Sequence, residues 1–289
     1  MDLTDLARPS GGLAMVAADQ RESLRVMMAE HTSGPVTDED LVRFKLAVAR
    51  ETGDYASGFL IDRTFGFDQI LEAGLLPGKC GLILACDDLR YSSAGVVGDT
   101  ALDDMVDAHV ARQRGAVALK LLVIWRRDAN RDRRLAMSEE FVRRCRDADL
   151  HSVLEGVVRP EPGADFDGTL LEAAGELGGL RPSLYKVQMP GLGRGTPAAM
   201  TRTCEKVTRV VPVPWVVLSQ GVRIEDFPGA VETACRAGAS GFLAGRAIWS
   251  DTLAAPDPVP LLRERSAARL RRLGDLVDRT ARPWWETVG

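Results

Sequence analysis

Eight short apolar runs recur along this chain, and each reads as continuously hydrophobic rather than alternating. They span 13–18, 58–61, 81–85, 117–124, 152–158, 183–189, 215–218 and 241–244. A strand covered on both faces has no polar side to show, so the pattern marks parallel strands packed between other layers. Helical patterns separate the runs, over 38–52, 103–114, 138–149, 196–210 and 225–237. Thr37-Asp38-Glu39-Asp40 has the form of a helix start, and Gly53 and Gly238 stand where helices would stop. Spacings of about 25–40 residues per unit suit right-handed strand–helix repeats. Eight such units in 289 residues predict an α/β fold, a single (β/α)8 TIM barrel over 1–289, with 272–289 as a C-terminal tail. The alternative is an open doubly wound sheet. No Gly-x-Gly-x-x-Gly follows the first run, so that fold lacks its usual nucleotide signature.

Three charged residues interrupt three successive runs. Lys120 lies within Ala118-Leu119-Lys120-Leu121-Leu122-Val123, Glu155 within Val153-Leu154-Glu155-Gly156-Val157-Val158, and Lys186 within Ser183-Leu184-Tyr185-Lys186-Val187-Gln188-Met189. Desolvating a lone charge costs several kcal/mol, so such residues are rarely tolerated without a purpose. An ordinary lysine, with a pKa of about 10.4, is neutral in roughly one molecule per thousand near pH 7. Burial and a neighbouring ammonium enlarge that fraction and make a nucleophile. Two lysines and a carboxylate therefore suggest imine chemistry on a carbonyl substrate. The competing readings are a lysine snorkelling outward for Lys186 and a structural ion pair with Lys120 for Glu155.

In a barrel, reactive groups gather where strands end. Those positions hold Asp19, Gln20 and Arg21, then Asp62 and Arg63, then Asp87 and Asp88, and later Gln188. After the last two runs come Ser219-Gln220-Gly221 and Gly245-Arg246. Backbone N–H groups there, with an arginine fork, suit a phosphate or a sulfonate.

Composition closes other routes. A net charge of −4 argues against nucleic acid, and no apolar run reaches the roughly 18 residues of a membrane span. The five cysteines are scattered and without a Cys-x-x-Cys pair, as in a reducing cytoplasm. His31, His109 and His151 are not spaced as metal ligands, so no metal and no cofactor is expected. Trp284 and Trp285, near the chain end, suit packing on the barrel or on a second copy in a homo-oligomer.

Taken together, these stretches resemble the class I tagatose-1,6-bisphosphate aldolase family, which includes sulfofructosephosphate aldolases. The likeness rests on Ala18-Asp19-Gln20-Arg21, Leu119-Lys120-Leu121-Leu122, Leu154-Glu155, Leu184-Tyr185-Lys186-Val187, Leu218-Ser219-Gln220-Gly221-Val222 and Ala244-Gly245-Arg246-Ala247-Ile248-Trp249. It implies a cytoplasmic, metal-independent lyase that releases dihydroxyacetone phosphate from a phosphorylated ketose. Lys186 matches the Schiff-base lysine, and Glu155 with Lys120 its acid/base pair. Asp19 and Gln20 match hydroxyl-binding residues, joined here by Asp62 and Gln188. Ser219, Gly221, Gly245 and Arg246 match the ketone-side phosphate site. Three stretches depart from the family: Gln188 replaces a glutamate, Asp87-Asp88 replaces an acid–lysine pair, and the loop 94–98, read as capping a helix, differs. All three fall where the aldehyde half would lie. A lyase of a sulfonated or non-phosphorylated keto compound, and a silent sugar-phosphate-binding barrel, are the other readings.

Overall fold

The computed structural model describes residues 2–160 and 163–286. Ten strands are present among the described residues. β1 (Leu13–Ala18), β2 (Gly58–Asp62), β3 (Gly81–Ala85), β6 (Ala116–Trp125), β7 (His151–Val158), β8 (Leu184–Gln188), β9 (Trp215–Leu218) and β10 (Gly241–Ala244) close into one parallel barrel. These are the eight apolar runs, with ends shifted by a residue or two. The remaining pair, β4 (Asp87–Ser93) and β5 (Val96–Leu102), forms an antiparallel hairpin after β3. The loop 94–98 thus belongs to a hairpin turn and does not cap a helix. Its polar, one-sided strands lack the apolar continuity that reveals the others.

Helix 38–52 forms as expected, as Asp38–Thr52. Thr37 Oγ1 accepts from Asp40 N, and Asp40 Oδ2 in turn accepts from Thr37 N, satisfying two otherwise orphaned donors. Elsewhere the limits move. Arg131–Asp147 begins before residue 138, and 103–114 yields only Ala108–Gln113, capped by Asp107. Residues 272–280, expected as part of a tail packing on the barrel or a partner subunit, complete the amphipathic helix Ala267–Thr280, whose Leu270, Leu273 and Val277 are buried. Beyond it, Trp284 packs on the barrel floor and Trp285 is exposed; 287–289 lie outside the described residues.

Alternate strand residues point into the barrel, so its interior is layered. Leu13, Met15, Leu60, Ile83, Ala118, Val153, Leu184, Val216 and Leu243 fill the lower part, sealed from beneath by Leu3 and Leu6. Near the strand ends, Ile124, Val157 and Leu218 form a second apolar cluster, capped by Val97 of the hairpin. The charged residues of the interrupted runs lie between these two layers.

The barrel closes at β1 and β10, where Leu13 pairs Gly241. Gly241 has φ 139°, and a Cβ there would sit 1.9 Å from the Leu13 carbonyl oxygen. Backbone cannot yield as a side chain does. Gly241→Ala is expected to destabilise the fold by on the order of 3–5 kcal/mol, read as a lowered denaturant midpoint. An unchanged midpoint would contradict closure at this seam.

Candidate active site

Lys120, on the fourth barrel strand, is the centre of the site. Its Nζ donates to Asp19 Oδ2 at 2.7 Å and Asp87 Oδ2 at 2.9 Å, and lies 3.2 Å from Glu155 Oε2. Lys186 Nζ, two strands away, donates to that same Glu155 oxygen at 2.9 Å. The register permits this: Glu155 pairs Lys186, while Lys120 pairs Val153, one inward position below Glu155, and its long side chain reaches the same carboxylate oxygen. All three are nearly sealed, with exposures of 2% for Lys120, 7% for Glu155 and 4% for Lys186.

The electrostatics follow from the pairing. Burial alone would push the Lys120 ammonium down, but Asp19, Asp87 and Glu155 together raise it well above its ordinary value, so it stays charged. Burial would push Asp19 and Glu155 up, yet the ammonium groups of Lys120 and Lys186 hold both below the usual carboxylate range. Glu155 is therefore an ionised acceptor touching both lysines.

The network continues sideways. Arg21 donates to the Asp87 carbonyl at 2.8 Å and to Asp87 Oδ1 at 3.1 Å, and lies 3.7 Å from Asp62. Asp62 is fully buried, salt-bridged to Lys45 Nζ at 2.5 Å, and accepts from Phe65 N at 3.2 Å. This corrects the expectation that Asp62 contacts substrate: its lone pairs serve helix Asp38–Thr52 and the turn after β2. Sequence reasoning placed Arg21 and Asp87 at strand ends but gave them no role, and it passed over Lys45 altogether. Asp87 and Arg21 stood at strand ends, where a buried acid looks like a turn residue. Lys45 gave no signal within an amphipathic helix. Four carboxylates (Asp19, Asp62, Asp87, Glu155) face four cations (Arg21, Lys45, Lys120, Lys186), so the layer is neutral as a whole.

The anion end lies across the barrel. Ser219 Oγ, buried after β9, accepts from Ala247 N at 3.5 Å, and Gly221 follows. Gly245 lies so close to β1 that a Cβ would fall 2.5 Å from the Ala17 carbonyl oxygen and 2.9 Å from Gln20 Nε2. Gln20 Oε1 is buried with no donor. Arg246 is half-buried, with no carboxylate within salt-bridge distance among the described residues; burial pulls its guanidinium down, partly offset by Glu155 and Asp19. Gln188 accepts from Val158 N at 2.7 Å, so its carbonyl oxygen ties β8 to β7 rather than facing a ligand.

A parallel barrel with two lysines and a glutamate sealed above an apolar floor is the frame of a class I, Schiff-base-forming aldolase. Comparison with known proteins agrees: the model of the DeoC/LacD family aldolase matches residues 13–251, and the chain belongs to that family. Tagatose 1,6-diphosphate aldolase of Listeria monocytogenes is 26% identical, over 99% of this chain and 94% of that protein. Tagatose 1,6-diphosphate aldolase 2 of Streptococcus pyogenes is 25% identical, over 96% and 94%. Among solved structures, an archaeal fructose-1,6-bisphosphate aldolase with its catalytic lysine bound to a carbinolamine intermediate shares the fold. Its TM-score is 0.64 at 18% identity, covering 94% of this chain and 96% of that one. Fructose-bisphosphate aldolase of Slackia heliotrinireducens does so at TM-score 0.66 and 18% identity, covering 93% and 86%.

The pairing sets a pH signature. Asp19 and Glu155 have folded pKa values below their unfolded ones, so their stabilisation is present above about pH 4 and lost as pH falls further. Lys120→Met leaves three buried carboxylates short of a cation, which costs on the order of 3–5 kcal/mol at pH 7. Protonation relieves that repulsion, so the stability gap to wild type is expected to narrow between pH 7 and pH 4. Denaturation at both pH values measures it; a gap independent of pH would refute this electrostatic account.

Proposed function

We propose that this enzyme reversibly cleaves a phosphorylated ketose into dihydroxyacetone phosphate and an aldehyde, with Lys186 as the nucleophile. The contact that carries the reading is Lys186 Nζ against Glu155 Oε2, beside the Lys120 ammonium. Lys186 is to lose a proton before it attacks. Handing it to Glu155 turns one cation and one anion into two neutral groups, so the net charge of the dry layer does not change. That makes the step far cheaper than expelling a proton to solvent.

Lys186 then adds to the ketone carbon. The protonated Glu155 helps the carbinolamine lose water, leaving an iminium as electron sink. Glu155, again anionic, accepts the proton of the C4 hydroxyl as the C3–C4 bond breaks, and the aldehyde leaves. The remaining enamine is protonated and hydrolysed to dihydroxyacetone phosphate. Lys120 keeps Glu155 ionised between these steps. The electrophile is the iminium, so the scheme needs no metal.

Ser219, Gly221, Gly245 and Arg246 are the groups we assign to the ketone-side phosphate, and Asp19 and Gln20 to substrate hydroxyls. The orphaned Gln20 Oε1 supports this, since a buried acceptor calls for a hydroxyl donor. The names of the relatives favour a sugar bisphosphate. The cytoplasm is the proposed location, supported by five buried, unpaired cysteines.

Borohydride added with dihydroxyacetone phosphate should leave a reduced adduct on Lys186, seen by peptide mass spectrometry, and none in Lys186→Met. Glu155→Gln should lower turnover by roughly 10²- to 10⁴-fold. Adduct formation elsewhere, or an active Lys186→Met, would overturn the assignment.

A further inference from the structure

Beside the reactive side chains lies a buried ion pair that no step of the proposed reaction uses. Lys45, on the helix Asp38–Thr52, and Asp62, at the end of β2, are both wholly enclosed, and Lys45 Nζ donates to Asp62 Oδ2 at 2.5 Å. The ammonium lies 5.2 Å over the Phe65 ring, and Phe65 N donates to Asp62 Oδ1 at 3.2 Å, so both oxygens of the acid are engaged. The other charges that bear on Lys45 are those of Asp19 and Arg21. Neither Lys45 nor Asp62 has surface that a substrate could touch. Desolvation consumes most of the attraction in such a pair, so stability alone is a weak reason for it.

Arg21 connects the pair to the reaction. Its Nη1 and Nη2 donate to the Asp87 carbonyl at 2.8 Å and to Asp87 Oδ1 at 3.1 Å. Its Nε, buried and without an acceptor, stops 3.7 Å from Asp62 Oδ1. The guanidinium thus stands between two acids and bonds only one of them. Asp87 passes the effect on, since its Oδ2 accepts from both Lys120 Nζ and Leu122 N. Of the three contacts of Lys120, the one to Glu155 is the longest, at 3.2 Å against 2.7 Å to Asp19 and 2.9 Å to Asp87. Without Lys45, Asp62 would be a buried anion with Arg21 beside it, and a shift of about 1 Å would bring Arg21 Nε into a hydrogen bond. Asp87, released by Arg21, would then pull harder on Lys120, and the contact to Glu155 would be the first to stretch.

We propose that Lys45 is a positioning residue for the reaction: by satisfying Asp62 it leaves Arg21 on Asp87, and this holds the Lys120 ammonium where it also reaches Glu155. The inference rests on the Schiff-base reading above and adds a control of the proton-transfer pair that comes from a helix outside the barrel. Losing Lys45 removes a positive charge from the layer and draws Lys120 away from Glu155. Both effects favour the protonated acid, so Glu155 takes up its proton at a higher pH.

The test follows the exchange of the C3 protons of dihydroxyacetone phosphate with deuterated water by NMR, which needs the imine and the enamine but no aldehyde. The acid limb of kcat/KM for this exchange reports Glu155 in the free enzyme, because the proton of Lys186 needs an anionic acceptor. Lys45→Met and the milder Lys45→Gln, each shown to be folded by circular dichroism, should lose on the order of tenfold in kcat with KM within about threefold. Their acid limb should move up by on the order of one pH unit. Arg21→Lys, which keeps the charge but loses the fork, should move the limb the same way with Lys45 intact. Adding Asp62→Asn to Lys45→Met should restore both rate and limb, since Arg21 then has no second acid to answer. An unmoved limb in Arg21→Lys or in the folded Lys45 variants would overturn the proposal, as would a loss that Asp62→Asn fails to repair. Wild type separates the two readings. If it neither exchanges these protons nor forms the borohydride adduct, the aldolase reading itself fails; if it does both and the variants match it, only the role of Lys45 is lost.

Discussion

The architecture turns on one buried ammonium. Lys120 touches three carboxylates from three different parts of the sheet: Asp19 after β1, Asp87 at the start of the hairpin and Glu155 in the middle of β7. No one of these acids could be kept dry and ionised alone, because desolvation would neutralise it. Around a shared cation they remain charged, and their strands are held at a common height. A divalent metal would be stabilised by the same kind of acid cluster. Here the protein supplies the positive charge itself, on a strand whose register is fixed along its length.

That choice explains the layering. A charged stratum in a barrel is tolerable only if water stays out and every member is paired, for a half-satisfied network costs more than an apolar core. Leu3 and Leu6 close the floor, and Val97, Ile124, Val157 and Leu218 close the top. Within this enclosure, proton exchange between Lys186 and Glu155 alters no net charge, whereas any partner drawn from solvent would. In the mechanism proposed above, the protonation change that readies Lys186 is thus also the least costly one open to this layer.

Much of this was legible in the sequence, for a specific reason. A strand covered on both faces must be apolar throughout, so Lys120, Glu155 and Lys186 each stand out as a lone charge in a hydrophobic run. Asp87 carries equal weight in the structure but lies past the end of its run beside Asp88, where an acid looks like a solvated turn. Lys45 is hidden by its helix: between Arg43 and Arg50, a lysine reads as surface charge, yet it is fully buried against Asp62. The Asp62 expectation failed for the same reason, since its partner is brought in by another element and leaves no trace near residue 62. The hairpin escaped because its strands are polar on one side and paired only to each other.

The places where this chain departs from the family pattern lie together in space. Asp87 begins the hairpin, Val97 lies at its far side, and Gln188 ties β8 to β7 just below Arg159 through Val158. A glutamate at 188 would add an anion to this rim; the neutral amide accepts the Val158 N–H and adds no charge. Asp87 likewise spends its charge on Lys120 and Arg21 rather than on the mouth. Among the described residues the charged layer is therefore neutral in itself, with Asp87 paired inside it and Gln188 adding no charge above it.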